Sequence, residues 1–445
     1  MQKTYSDEVQ EDIQEENRLV SEYQELLGKA VIPFNENELR LSSLAPYLGS
    51  PDREVRKAAF EAKSGYFKQH ASDFERILDD LVKTRNRIAK TLGYSSFVRL
   101  GYDRMHRTGH TTTDLVKYRK QVKQHGVQFI SELRKKQMNR IGVSKLKYYD
   151  ESYFFKNGAP APKGTHEEIL EVYRDIFHEL SPETSAFFNE LMEKGNVDVE
   201  SRTNKMGGAF ASYSGPKIDS FIFANFNGTS NDVRVFAHEA GHAFQFYMSR
   251  HSNIHEYIIP YDSCEVFSFT MEWFVWPWME RFFGEDTKKY QFSNLTEAFI
   301  YMPFVSVVDE FEHFLYEFPT ATMQVRKQKW RELEHEYVPD RDYDGNELLE
   351  EGTGFYEIGH LFTSPFYYMD YDLAHFAAVQ LWIKLQEDPK SAWDSFLKMC
   401  KLGGRLPYPE LLKNANLESP FEEGSMERLL EKVKSWIDQI DDRSF

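Results

Sequence analysis

The chain has 445 residues, and its 54 Lys and Arg against 71 Asp and Glu give a formal net charge of −17. Hydrophobic residues make up 41% and aromatic residues 15%, a composition too apolar for a disordered chain and typical of a globular protein. The acidic balance argues against sequence-independent nucleic-acid binding, which needs clustered Lys and Arg. It also disfavours an anionic membrane surface as a partner.

Cysteine usage and the N-terminus predict the compartment. The two cysteines, Cys264 and Cys400, are too few for a disulfide framework and indicate a reducing environment. The N-terminus lacks the basic and apolar stretches of a secretory signal, and no apolar run approaches the ~20 residues that a membrane span needs. We therefore expect a cytoplasmic protein with no membrane and no nucleic-acid partner.

Residues 1–195 are predicted to form an N-terminal helical region, either as a separate domain or as part of one continuous body with the rest of the chain. Apolar side chains recur at three- and four-residue spacing in residues 55–66 and 74–92. Thr111 is placed to begin another helix as its N-cap. The stretch GAPAPKG, residues 158–164, is typical of a linker.

The composition changes in residues 196–445, the second predicted domain. Residues 206–213 and 218–226 are rich in small, aromatic and β-branched side chains, which predicts two strands. One helix is predicted over residues 232–250 and a second over residues 264–283. The remaining residues again show helical periodicity, so the prediction is a mainly α fold with one small β-sheet.

The most informative motif is His238-Glu239-Ala-Gly-His242, an H-E-x-x-H match. Residues four apart lie on one helix face, so both imidazoles can bind one Zn²⁺ while Glu239 reaches a water. The pattern also arises by chance on charged helices, but here apolar residues flank it on both sides, and buried His and Glu need a partner. Gly241 is a poor helix former, which predicts close packing against another backbone.

A catalytic zinc needs a third protein ligand and an open fourth position. The candidates that follow the motif are His251, His255, Glu256, Asp262, Glu265 and Glu272. Glu265 and Glu272, seven residues apart, share one face of an otherwise apolar helix, where solvated surface acids are not expected. We predict that one of them binds the metal and the other orients a ligand histidine. Cys264 is predicted to be a buried small side chain, because a fourth protein ligand would close the site.

Three stretches together resemble the thimet oligopeptidase and oligoendopeptidase F family of zinc metallopeptidases. They are residues 221–246 (FIFANFNGTSNDVRVFAHEAGHAFQF), 264–278 (CEVFSFTMEWFVWPW) and 360–373 (HLFTSPFYYMDYDL). The last is similar to the bacterial oligoendopeptidase F branch in particular. The resemblance implies a zincin-like catalytic core in a large helical body with a deep substrate channel.

The resemblance also implies roles for individual residues. The metal ligands are His238, His242 and Glu265, and Glu272 orients a ligand. The catalytic and substrate-contacting side chains are Glu239 as general base, His360, Tyr368 and Tyr371, with Tyr367 competing for one of the tyrosine roles. The strand that pairs with bound peptide includes Gly207, Gly208 and Ala209, and a flexible glycine-rich loop covers residues 352–354. Without the resemblance, the tyrosines are equally typical of core packing and His360 of a structural histidine.

The predicted function is that of a zinc endopeptidase, with one Zn²⁺ per chain, acting on short peptides. The size restriction comes from the family's channel. Two alternatives stay open at this stage. A zinc carboxypeptidase would need a basic side chain for the C-terminal carboxylate of its substrate, and the motif stretches contain few. An inactive peptide-binding module could keep the ligands and lose the base, and the presence of Glu239 counts against it.

Overall fold

The computed structural model describes residues 4–202, 205–214, 219–252, 259–442 and 445. Within them the chain is mainly helical with two small β-sheets, which confirms the predicted fold class. The helices before the three-stranded sheet are α1 (Gln10–Gly28), α2 (Ala45–Leu48), α3 (Arg53–Gln69), α4 (Ala71–Thr91), α5 (Phe97–Arg104), α6 (Thr112–Gln121), α7 (Val127–Ile141), α8 (His166–Leu180) and α9 (Pro182–Glu193).

The helices that follow the sheet contain the motif stretches. They are α10 (Ser230–Ser249), α11 (Tyr261–Phe274), α12 (Glu280–Phe283), α13 (Thr287–Ile300), α14 (Met302–Glu317), α15 (Met323–Tyr337), α16 (Glu347–Glu350), α17 (Gly359–Thr363), α18 (Tyr368–Glu387), α19 (Pro389–Leu402), α20 (Tyr408–Asn414) and α21 (Ser425–Ile437). A hairpin near the N-terminus pairs β1 (Ile32–Phe34) with β2 (Asn37–Leu39).

Local signals account for some of the helix boundaries. Thr111 and Asp114 form a capping box at the start of α6, as predicted from the N-cap. The helices predicted over residues 55–66 and 74–92 correspond to α3 and α4. The single helix predicted over residues 264–283 is wrong, because α11 already ends at Phe274. Pro277 lacks an amide donor and its ring would clash with the carbonyl one turn earlier, which ends the helix.

The second sheet has three strands, β3 (Val197–Asp198), β4 (Phe210–Ser214) and β5 (Asp219–Phe223), in the order β3-β5-β4. β4 pairs antiparallel with β5, and Ala211 lies opposite Ile222. The prediction that the strand begins near residue 206 is wrong, because Gly208 has φ +90° and leaves the extended region. The two-residue β3 is too short for its alternation to be recognised in the sequence.

One hydrophobic core runs through both halves of the chain, from Val9 to Ile437. Within it α11 packs against α10 on one side and α18 on the other, which brings the three motif stretches together. The division into two domains stays a prediction. No helix in the described part of the chain combines the length and apolar character that a bilayer-spanning segment needs.

Candidate active site

The site is built on the close approach of α10 and α11. A Cβ atom on Gly241 would lie 2.5 Å from the carbonyl oxygen of Phe267 and 2.6 Å from the Cα of Ser268. Only glycine permits this separation, so the predicted backbone contact at Gly241 is confirmed. The approach directs His238, Glu239 and His242 of α10 towards the face of α11 that carries its two glutamates.

His238, His242 and Glu265 form a compact cluster. Their candidate ligand atoms all lie within 4.8 Å of one another. Glu265 Oε2 is 3.1 Å from Nε2 of His238 and 3.3 Å from Nε2 of His242. Two imidazole nitrogens and a carboxylate oxygen at these separations could together hold a metal ion.

Glu272 lies behind the cluster. Its Oε1 is 2.7 Å from Nδ1 of His238, on the ring nitrogen that faces away from Glu265. Burial alone would lower the pKa of His238, but hydrogen bonds to Glu265 and Glu272 outweigh it and raise the pKa to about 10. The carboxylates of Glu265 and Glu272 therefore stabilise positive charge at the His238 ring.

The other candidates for the third ligand lie elsewhere or cannot be placed. Asp262 is fully buried beside His110, with 3.4 Å between its Oδ2 and the imidazole Nδ1. His251 is not part of the cluster. His255 and Glu256 lie outside the described residues. The Cys264 thiol donates to the carbonyl of Tyr261 at 3.1 Å and lies 3.9 Å from Glu265 Oε1.

Glu239 lines the same cavity as His238, His242 and Glu265 but is not one of the three clustered residues. Its side chain is buried, and this burial raises its pKa, although His238, His242 and the Ala211 backbone act in the opposite direction. A carboxyl with raised proton affinity beside a cation site has the features of a general base.

The cleft has a volume of about 500 Å³ and is bordered on one side by β4. In the sheet order β3-β5-β4, β4 is an edge strand among the described strands. Ala209, Phe210, Ala211 and Tyr213 line the cleft along this edge. Gly207 and Gly208 precede β4 and do not line the cleft.

The predicted tyrosines occupy different positions. Tyr367 and Tyr371 line the cleft, and the Tyr367 hydroxyl donates to Glu265 Oε1. Tyr368 does not line it, and burial raises its pKa to about 12. His360 is also outside the lining; its Nε2 is 3.5 Å from the Tyr371 hydroxyl, and its ring packs against all three tyrosines.

The glycine-rich stretch at residues 352–354 is packed. A Cβ atom on Gly352 would lie 2.1 Å from the carbonyl oxygen of Lys327, and Thr353 is buried. The predicted flexible loop is therefore held against α15.

Sequence reasoning missed several residues that line the cleft, namely His106, Phe246, Ile259 and Tyr261. His106 comes from the N-terminal half, just after α5, and has a left-handed backbone with φ +57°. No motif surrounds it, and its place on the cleft depends on how the two halves of the chain pack.

Comparison with known proteins identifies the family of the chain. Residues 47–430 match the model of peptidase family M3. The chain is 24% identical to an oligoendopeptidase F homolog of Borreliella burgdorferi, over 87% of this chain and 67% of the relative. It is 25% identical to oligopeptidase PepF of Bacillus subtilis, over 90% of this chain and 61% of that protein, so it spans about two thirds of their lengths.

Solved structures show the same fold. The structure of PZ peptidase A with an inhibitor is 45% identical, superposes with a TM-score of 0.94, and covers 99% of this chain and 79% of that one. A Bacillus anthracis str. Ames protein proposed to be an oligoendopeptidase F is 42% identical with a TM-score of 0.88, over 100% of this chain and 77% of that one. With the family match over most of its length, the chain belongs to peptidase family M3.

Proposed function

We propose that this protein is a zinc-dependent oligoendopeptidase that hydrolyses internal bonds of short peptides. The observation that carries the proposal is the placement of Glu239 on the same cleft as the His238, His242 and Glu265 cluster. Membership of family M3 supports peptide-bond hydrolysis, and similarity to proteins named oligoendopeptidase F supports short peptides as substrates. The cytoplasmic location stays a prediction.

His238, His242 and Glu265 would hold one Zn²⁺ per chain. Bound there, Zn²⁺ supplies a Lewis acid that polarises the scissile carbonyl and makes a nearby water more acidic. Glu272 accepts a hydrogen bond from Nδ1 of His238, which would fix the tautomer and orientation of that ligand.

The remaining steps use side chains of the cleft. Glu239 would accept a proton from the attacking water and pass it to the leaving amine. The Tyr371 phenol would donate to the developing oxyanion, while Tyr367 would fix Glu265. His360, which does not line the cleft, would orient the Tyr371 hydroxyl towards the bound peptide. An extended peptide would add by main-chain hydrogen bonds to the edge of β4 that borders the cleft, with Gly207, Gly208 and Ala209 leading into that edge.

A zinc carboxypeptidase is the competing enzyme. No Lys or Arg is among the described residues that line the cleft. Arg234 lies in a neighbouring cavity of about 240 Å³ that Tyr371 also borders, but Glu272 and Glu297 are there too and would repel a carboxylate. We therefore expect peptides with an amidated C-terminus to be cleaved as well as free ones, whereas a carboxypeptidase would lose activity on them.

The direct test uses a quenched-fluorescent peptide of about ten residues blocked at both ends, with zinc content measured on the same sample. We expect internal cleavage that a chelator abolishes and Zn²⁺ restores, with about one zinc per chain. Zinc binding with tight peptide binding but no cleavage would instead support the inactive peptide-binding module.

Metal retention tests the ligand set. We expect Glu265→Ala to abolish stoichiometric zinc binding, because it removes the carboxylate shared by both imidazoles. Glu272→Gln should weaken the zinc affinity by about 10- to 100-fold, since it only orients His238. Competition with a chromophoric chelator measures both. Unchanged zinc affinity in Glu265→Ala would point to another third ligand.

A further inference from the structure

The segment that leads into α18 contains a strained residue next to the cleft. Phe366 has φ +70°, a left-handed conformation that a bulky side chain adopts only when its surroundings enforce it. The next residue is Tyr367, whose hydroxyl donates to Glu265 Oε1. The backbone conformation of Phe366 therefore sets the direction in which the Tyr367 side chain leaves the chain.

Two buried polar side chains hold both backbone polar groups of Phe366. Its N–H donates to Glu312 Oε1 at 2.9 Å, and its carbonyl accepts from the Arg107 guanidinium. Arg107 also pairs with Asp370 of α18. Arg107, Glu312 and Asp370 are completely buried, and they come from three separate parts of the chain.

The ring of Phe366 is fixed as well. A Cβ atom on Gly101 of α5 would lie 2.5 Å from a carbon of that ring, so the ring fills a space that only glycine leaves open. Backbone and side chain are thus both constrained, which is the condition under which a strained residue persists.

Stability alone does not account for this arrangement. Replacing buried ionic groups by apolar side chains of similar volume is often neutral or stabilising. Here several polar atoms of the group have no hydrogen-bond partner in the described part of the chain, including Nε and Nη1 of Arg107, Oε2 of Glu312 and Oδ2 of Asp370. The contacts that are made converge on Phe366, the residue before a cleft tyrosine.

We propose that Arg107 and Glu312 are positioning residues, which hold Phe366 in its left-handed conformation and thereby keep the Tyr367 hydroxyl on Glu265. The effect of this device on catalysis rests on the proposed peptidase function. Its effect on metal binding does not depend on that function, because Tyr367 contacts Glu265, one of the three residues that could hold a metal ion.

The test compares Glu312→Leu with Glu312→Gln. Leucine has a similar volume but cannot accept the Phe366 N–H, whereas glutamine keeps an acceptor oxygen. We expect Glu312→Leu to fold with a lower unfolding temperature, because the buried Phe366 N–H loses its acceptor, to bind zinc about tenfold more weakly and to lose about tenfold in kcat with little change in KM. Glu312→Gln should stay within about twofold of the wild type on both measures.

A double variant separates positioning from a general effect. Tyr367→Phe removes the hydroxyl through which Glu312 is proposed to act, so Glu312→Leu should add no further loss in that background. Arg326→Met is the matched control, because Arg326 is equally buried but bonds to Asp79 and Pro319. It should change the unfolding temperature and leave the zinc affinity unchanged.

Losses of zinc affinity that multiply in the double variant would overturn the proposal, as would a Glu312→Leu protein with wild-type zinc affinity. Wild-type protein that binds zinc but cleaves no peptide would refute the proposed function and leave the zinc-affinity comparison to decide on positioning.

Discussion

Glu239 and Glu265 border the same cleft, but their surroundings shift their pKa values in opposite directions. Burial raises the pKa of Glu239. Burial acts on Glu265 as well, but His242 and His238 outweigh it and hold its pKa well below its usual range. A carboxylate kept ionised between two imidazoles suits cation binding, and one with raised proton affinity suits proton transfer.

Replacing Glu239 separates these roles. Glu239→Gln preserves the side-chain volume but removes the proton acceptor, so we expect kcat to fall by about 10²- to 10⁴-fold while the zinc content stays at the wild-type level. Peptide cleavage and metal analysis on the same preparation measure both. Activity close to that of the wild type would eliminate Glu239 as the base.

The phenol facing the cleft can be identified in the same way. Tyr371→Phe should lower kcat by about 10²-fold with little change in KM, because it removes a donor needed mainly in the transition state. Tyr368→Phe should have a much smaller effect, since Tyr368 does not line the cleft. The two variants are compared by steady-state kinetics; an increase in KM alone would make Tyr371 a binding residue.

The site depends on how closely the helices α10 and α11 approach each other. These two helices carry the three clustered residues His238, His242 and Glu265, and also Glu239 and Glu272. Their separation is set at Gly241, where the backbone of Phe267 and Ser268 occupies the space of a side chain.

Gly241→Ala should therefore destabilise the protein although alanine is the better helix former. The gain in helix propensity is about 1 kcal/mol, but pushing the helices apart costs about 1–3 kcal/mol and displaces the ligands. Gly65→Ala in α3 is the matched control, because no atom lies within 4 Å of its Cβ position, and it should stabilise by up to about 1 kcal/mol. Denaturant unfolding and zinc titration measure both effects; an unaffected Gly241→Ala protein would contradict the close-packing argument.

Buried charged side chains connect segments that are distant in the sequence. Arg85 of α4 is fully buried and donates to the carbonyl oxygens of Leu361 and Phe362 in α17 and to the Tyr316 hydroxyl. Asp150, also fully buried, accepts from Arg53 and Arg56 of α3. The N-terminal helices are thus connected to the segment that carries His360 and the cleft tyrosines.

Asp150→Ala should cost about 3–5 kcal/mol of unfolding free energy, because it leaves Arg56 buried without its carboxylate. Glu25→Ala, which breaks the exposed pair with Lys29, should cost less than about 1 kcal/mol. Chemical denaturation at neutral pH compares the two, and equal losses would contradict the importance of burial.

The Asp150 contribution should depend on pH. Burial would raise the pKa of Asp150, but hydrogen bonds from Arg53 and Arg56 outweigh it and hold the pKa below its usual value. Its stabilisation is therefore present above the ordinary carboxyl pKa of about 3.9 and lost as the pH falls through the lower folded value. The difference between wild type and Asp150→Ala should stay constant from neutral pH to about pH 5 and shrink below pH 4. If the stability difference already shrank at pH 6, a group other than Asp150 would be responsible for its pH dependence.

Much of the fold could be predicted from short-range patterns. The helical character of both halves, the capping at Thr111 and the position of α10 follow from residue spacing within one or two turns. The errors have two kinds of cause: Gly208 delays the start of β4 and Pro277 follows the end of α11, both local effects, whereas the packing of Gly352 against Lys327 depends on a more distant contact.

For the site, local periodicity is enough to predict that His238, Glu239 and His242 share one helix and that Glu265 and Glu272 share a face of another. The packing of the helices in three dimensions determines which carboxylate joins the imidazoles, that Tyr367 and Tyr371 rather than Tyr368 line the cleft, and that His106 reaches it. Those outcomes depend on the separation of packed helices and on a strained turn held by buried charges, which arise between residues far apart in the chain.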